Sequence, residues 1–379
     1  MLTSLKINGF RRYDNLELEN FSRINFILGK NNVGKTSVLE AVFSWACGQN
    51  IAPLINIPVS RCRFSAIQQR YWLMEEIMSV FHNRTTLPFH MKFSGSYNGQ
   101  EECFEHSVFP SDILTDYDSS YKATNKIVPS MNESTGKDQN LQLVNTQLGM
   151  VQVTPTFTVA NWQIKHNEKI VSENITSPLV FVSKVTPCTQ AKFIDLLSHI
   201  SVNEIIQIYA TLKRNNLIED IVTELNKVFP EIKNIDMLPY PDGSMSPISI
   251  LKNGTMLPLY AYGDGVQRWF FILGAVALYK NSIICVDEID SGFHPEAQSE
   301  FSKYLAKYAK KCNVQLFLTT HNIEFIDNFL NSIEELDDDY LENTRIITLR
   351  EGKNNTVMHR CLTGTKAYEA REDFCLEFR

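Results

Sequence analysis

The chain has 379 residues, 44% hydrophobic and 21% charged, with a formal net charge of −7. That length can bury a large core and suggests two or three lobes, and the composition is that of a soluble globular protein. The acidic balance argues against a surface given over to nucleic acid, although a local basic groove would not show in a sum. The eight cysteines include no Cys-x-x-Cys pair, so they read as reduced thiols of a cytosolic protein and exclude a zinc ribbon or a disulfide frame. Met1-Leu-Thr-Ser-Leu-Lys6 lacks the apolar centre of a signal peptide. No apolar run reaches the roughly 18 residues a membrane span needs. The expectation is a cytoplasmic protein.

In chain order, residues 2–10 alternate as a first strand, Arg11-Arg12-Tyr13 follows, and 16–18 forms a second short strand. The two arginines either touch nucleotide or lie in a solvated turn, and both readings stay open. Ile24-Asn-Phe-Ile-Leu28 is a buried-strand run, Gly29-Lys-Asn-Asn-Val-Gly-Lys-Thr36 matches the P-loop pattern, and 37–46 has helical apolar spacing. Strand, glycine turn and helix aim backbone N–H groups and a positive helix end at phosphates. Gly29, Lys30, Asn31, Asn32, Gly34 and Ser37 then form the cradle for ATP. Lys35 reaches the β and γ phosphates, and the Thr36 hydroxyl binds Mg²⁺.

From about 48 to 88 the pattern is helical, including 68–82. Residues 89–100 and 103–109 alternate around a Gly/Asn turn, the signature of a hairpin. Residues 111–140 read as a long polar loop, and 151–164 return to strand character. Residues 179–183 read as a buried strand, followed by helices at 190–198, 202–213 and 217–228 and strands at 236–238 and 248–252. This layout predicts a core split into 1–47 and 236–379, carrying an inserted lobe over 48–235.

Tyr260-Ala-Tyr-Gly-Asp-Gly-Val-Gln-Arg268 precedes an apolar helix over 269–279, a second potential phosphate site. Ser282-Ile-Ile-Cys-Val-Asp-Glu-Ile-Asp290 is an apolar strand ending in carboxylates, the Walker B arrangement. Asp287 would hold Mg²⁺, and Glu288 would orient and deprotonate the attacking water. A further buried strand, 314–319, ends in Thr319-Thr-His321, where His321 can donate to a γ-phosphate. His294-Pro295 reads as a helix start. Asp337-Asp-Asp339 reads as a solvated acidic loop.

P-loop, glycine-rich helix start, Asp-Glu strand and strand-ending histidine, in this order, resemble an ABC-type ATPase head. The resemblance is to the SMC/RecF-like ATPases and, within them, the OLD-like group of anti-phage systems. The layout is also similar to the ATPase subunits of PARIS-type defence systems. It covers residues 1–46 and 236–379, and the tail Ala367-Tyr-Glu-Ala-Arg-Glu-Asp-Phe374 resembles the closing helix of the OLD-like group.

The resemblance implies an α/β fold: a P-loop core with a mixed sheet plus an inserted α+β or helical lobe. It implies that Gly263, Asp264 and Gly265 form the signature loop, which meets ATP held by a second subunit. The usual serine of that loop is replaced by Gly263, and a carboxylate at Asp264 would oppose a γ-phosphate unless it turns away or binds an ion. Residues 290–294 correspond to the D-loop. A Q-loop glutamine should follow the strand at 179–183, with Gln190 the nearest candidate.

OLD nucleases carry a Toprim domain after the ATPase, but too few residues follow His321 for the remaining strands and that fold. No heptad run long enough for an SMC arm occurs. The leading expectation is an ATPase switch using ATP and Mg²⁺, at least dimeric through its heads, which holds or releases a separately encoded effector such as a Toprim-type nuclease. The alternative is a RecF-like clamp on DNA, and a third reading is a scaffold with a vestigial site.

Overall fold

The computed structural model describes residues 1–50, 54, 79–82, 88–109, 142–146, 149–153, 161–172, 187–196, 198–239, 243, 245–336, 339–353 and 356–370. Most of the helix expected over 68–82, the 111–140 loop, the 179–183 strand, Asp337-Asp338 and the tail beyond Ala370 lie outside the described residues.

The chain opens with β1 (Leu2–Phe10) and β2 (Tyr13–Leu18), an antiparallel pair, and β3 (Ile24–Gly29), which delivers the P-loop to α1 (Lys35–Cys47). β4 (Phe89–Tyr97) and β5 (Gln100–Phe109) form the expected hairpin. Its Asn98-Gly99 turn has φ 52° and 80°, the two positive values that a tight hairpin turn requires and that Asn-Gly adopts with little strain. Among the described residues β6 (Gln142–Thr146) and β7 (Gly149–Val153) pair with each other, whereas β8 (Asn161–His166) and β9 (Lys169–Ser172) extend the first sheet. That sheet runs β2-β1-β4-β5-β8-β9, all antiparallel.

Next come β10 (Gln190–Ile194), α2 (Val202–Arg214), α3 (Ile218–Val228), β11 (Ile232–Pro239), β12 (Met245–Leu251) and β13 (Met256–Pro258). The helix expected over 190–198 is a correction: 190–194 is a strand, paired in parallel with β14 (Ser282–Val286). Five residues cannot separate strand from helix by spacing alone, and the free edge of the neighbouring strand decided it. The remaining elements are α4 (Asp264–Leu278), α5 (Pro295–Lys311), β15 (Gln315–Thr319), α6 (Ile323–Glu334), β16 (Thr344–Glu351), β17 (Val357–Thr363) and α7 (Gly364–Glu369). Pro295 occupies the first turn of α5, where its missing N–H costs nothing. Asn322 caps α6 by accepting from the Phe325 N–H at 3.2 Å.

The central sheet runs β10-β14-β15-β3-β16-β17, parallel except for its last strand. Its inner strands are buried on both faces, so they read as unbroken apolar runs. Alternate side chains serve two cores. Phe26, Ile284 and Leu316 join α2–α6 on one face, while Ile27, Ile283 and Phe317 join α1 and the antiparallel sheet on the other. The stretch 48–235, expected as an insertion, therefore gives β4, β5, β8 and β9 to the first sheet and β10 to the central one. α4 is buried almost all round, including Trp269, Phe270 and Phe271, each worth about 1.5–3 kcal/mol of apolar burial. It is the spine of the helical face.

Candidate nucleotide site

Parallel strands end together, and the turns after β10, β14, β15 and β3 meet at one edge, where open α/β sheets bind ligands. Gly29 has φ 144°, Asn32 65° and Gly34 105°, so the loop between β3 and α1 passes through the left-handed region. A Cβ on Gly34 would lie 2.2 Å from the Tyr13 hydroxyl. That hydroxyl instead donates to the Gly34 carbonyl at 2.8 Å. Lys35 Nζ folds over the loop and donates to the carbonyls of Gly29 (2.8 Å) and Lys30 (3.2 Å). Burial lowers its pKa, and the nearby Asp287 and Glu288 oppose that shift.

Thr36 Oγ1 lies 3.0 and 3.1 Å from the two carboxylate oxygens of Asp287. Thr319 donates to Asp287 Oδ1 at 2.6 Å and accepts from the Glu288 N–H at 2.8 Å. Asp287 is thus fixed between the P-loop helix and the end of β15. Glu288 follows with φ 49°, an unusual conformation for a residue with a side chain, and is only partly buried. Thr320 donates to Asp290 at 2.5 Å, and His321 stands exposed just beyond.

Lys30, Asn31 and Asn32 are exposed and Ser37 half-buried in the same loop. Arg12 donates to the Asn32 carbonyl and pairs with Glu351 at 2.8 Å, placing it beside the loop. Arg11 is placed differently, its Nε 2.8 Å from the buried Glu40 carboxylate on α1. That pairing turns Arg11 towards α1. Gly263 has φ 84° and ψ 169°, a conformation open essentially to glycine alone, and Asp264 begins α4. A Cβ on Gly265 would meet the Gly292 carbonyl at 2.4 Å, so the signature-like and D-loop-like turns pack backbone to backbone.

The structure also corrects the Q-loop candidate. Gln190 opens β10 at the end of the sheet remote from the P-loop; Ile194 pairs with Val286, and the residue that follows at the site is Asp195. Arg268 is a site residue whose role the sequence did not reveal. It is fully buried, and Nη2 donates to the carbonyls of Asp287 and Glu288, both at 2.8 Å. Nη1 donates to Leu196 O at 3.2 Å and Asp195 O at 3.5 Å. One guanidinium on α4 thereby ties the turn after β14 to the turn after β10. An arginine within an otherwise apolar helix was the available signal.

The residues fit Mg²⁺ and a nucleotide triphosphate. Thr36 and Asp287 supply hard oxygen donors, and Lys35 caps a loop with left-handed turns. Among the described residues no group of three or more His, Cys, Asp or Glu could hold a metal by itself. No helix among the described residues is long and apolar enough to cross a membrane.

Comparisons with known proteins give the family and the fold. A family model described as "AAA domain" matches residues 4–238, and a second AAA domain model, whose description refers to a type IV toxin–antitoxin system, matches 212–327. A Helicobacter pylori (strain ATCC 700392 / 26695) protein named "ATP/GTP phosphatase" is 25% identical over 367 residues, 93% of each chain. "DNA replication and repair protein RecF" of Actinobacillus pleuropneumoniae serotype 5b (strain L20) is 47% identical over 49 residues, 13% of this chain and 14% of that protein. The crystal structure of the SmcHead bound to the C-winged helix domain of ScpA superposes with a TM-score of 0.54, at 13% identity, over 97% of this chain and 99% of that one. With a family model matched over residues 4–238, more than half of its length, the chain belongs to the AAA domain family, and its fold is that of an SMC head.

Proposed function

We propose that the protein is an ATP-hydrolysing switch whose heads close on nucleotide in pairs and whose state controls a separately encoded effector in anti-phage defence. One observation carries the hydrolytic part: Thr36, Asp287 and Thr319 are hydrogen-bonded together with Glu288 alongside, at the mouth of the P-loop. Lys35 would exchange its carbonyl partners for β- and γ-phosphate oxygens, and Thr36 with Asp287 would hold Mg²⁺. The cation, when bound, neutralises charge building up on the phosphates. Glu288 would orient the attacking water and take its proton, with His321 donating to the γ-phosphate. The relative named "ATP/GTP phosphatase" supports hydrolysis to free phosphate. Gly263–Gly265 faces outward beside Gly292, as a loop that completes a second copy's site must. The effector and the OLD-like or PARIS-type assignment rest on the order of motifs, and the toxin–antitoxin wording of one family description is compatible with a two-component system.

The test is a native-mass measurement on protein purified from its own host, with phosphate release assayed on the same sample. A stoichiometric second chain, such as a Toprim-type nuclease, supports the switch; a nucleotide-insensitive monomer without turnover refutes it. The local match to RecF favours a second reading, a DNA clamp. Three of the four lysines of α5 pair with acids, Lys303 with Glu335, Lys310 with Asp339 and Lys311 with Asp220, which offsets part of that helix's positive charge. ATP-dependent DNA binding that weakens steeply with salt would favour the clamp.

A further inference from the structure

Asp264 brings a carboxylate to the loop that a facing subunit's phosphate would approach. It is exposed and makes no hydrogen bond or ion pair among the described residues. Behind it, the short turn Ser198–Ile200 packs against α4 and presents His199, only 4% exposed. His199 Nδ1 lies 3.5 Å from Nη1 of Arg268. A guanidinium can only donate, so Nδ1 accepts and the proton of the neutral ring sits on Nε2. That Nε2 is shut off from solvent and has no partner among the described residues. Two touching elements therefore hold a buried donor lacking an acceptor and a carboxylate lacking a donor.

The charged groups around the ring are few. Burial first, then Arg268, hold it neutral, while the negative charges of Asp264 and Asp195 act the other way. Asp195 accepts from the Ser198 hydroxyl at 2.8 Å, whereas Asp264 has no hydrogen-bond partner among the described residues. Gly263 has room about it: apart from its own chain neighbours, no atom of the described residues lies within 4 Å of where its Cβ would stand.

We propose that His199 is a positioning residue for the signature loop: as heads close, its Nε2–H takes the Asp264 carboxylate and turns it away from the phosphate held by a second copy. The first N–H groups of α4, rather than a carboxylate, then face that phosphate. This inference rests on the head-to-head reading given above.

The experiment is a double-mutant cycle on the full chain with Mg-ATP, reading ATP-dependent self-association and turnover in wild type, His199→Phe, Asp264→Asn and the double variant. His199→Phe should weaken association about tenfold, and the same change in the Asp264→Asn background should alter it by less than about twofold. A purely structural histidine would give additive losses in both backgrounds, which overturns the assignment. His199→Gln, which keeps an N–H donor, should recover most of the association. If His199→Phe does not fold, imidazole ¹⁵N NMR of the other two proteins decides. A Nε2–H signal that shifts with Mg-ATP in wild type but not in Asp264→Asn supports the pairing, and equal behaviour refutes it. A wild type that neither associates nor turns over ATP refutes the head-to-head reading itself, whereas association with additive variants refutes only the role of His199.

Discussion

On the proposed reading Lys35 and Glu288 would flank a bound γ-phosphate, and their chemistry separates binding from turnover. Lys35→Ala should abolish ATP binding, measured by calorimetry. Glu288→Gln should bind ATP yet release phosphate about 10²–10⁴-fold more slowly, the usual worth of a positioned general base; normal turnover would remove Glu288 from that role. A second residue argument concerns His106, 1% exposed in the antiparallel sheet. Trp162 Nε1 donates to its Nδ1 at 3.2 Å, and burial pushes its pKa down to about 3. The folded state holds the ring neutral, so this stability is present above the unfolded value of about 6.5 and is lost as pH falls towards 3. Urea titrations of the wild type should lose about 2 kcal/mol from this group between pH 6.5 and 5, and His106→Gln should show a smaller loss. The P-loop residues were legible because their pattern is local. The Arg11–Glu40 pairing was not, because Glu40 lies on the helix beyond the loop and nothing in the spacing says which arginine turns inward.

Among the elements, α4 connects the signature-like turn to the turns after β10 and β14 through Arg268. Replacing that arginine by Met leaves the part-buried carbonyls of Asp287, Glu288 and Leu196 without its donors. The cost should be about 2–5 kcal/mol, seen as a lowered unfolding midpoint. Arg268→Lys should recover little, since one ammonium cannot reach both turns as a planar fork does. Full stability in either variant would show that the bridge is dispensable. The apolar sequence of α4 already marked it as a buried helix. What its one arginine would touch depended on β10 and β14 lying side by side, and the short run at 190–194 gave no hint of that pairing.

At the scale of the whole molecule, two sheets share one core, and Gln315 is the polar stitch between them. Its side chain accepts from the Leu2 N–H at 2.8 Å and donates to the carbonyls of Leu2 (2.7 Å) and Ser22 (2.9 Å), all in buried surroundings. Gln315→Leu would leave those backbone groups unpaired and should cost about 2–4 kcal/mol. Hydrogen exchange should locate the loosening in β1, and unchanged protection there would refute the stitch. Asn25 makes a similar local link, bonding Ser22 and Leu316. Both residues sit in strands that otherwise read as uniformly apolar, which is why the sequence flagged neither.

The sequence by itself determined the P-loop, the Asp287–Glu288 strand end, the strand leading to His321 and most of the helices of the second half. Each of these is encoded in neighbouring residues: turn glycines, apolar runs and 3.6-residue spacing. Only the tertiary structure decided that strands from within 48–235 belong to both sheets, that Gln190 is remote from the P-loop, and that Arg11 faces α1. It also decided that Arg268 spans two turns. The physical reason is common to all four. They are set by which strand edge is free and which buried polar group lacks a partner, and these are properties of contacts between segments far apart in the chain.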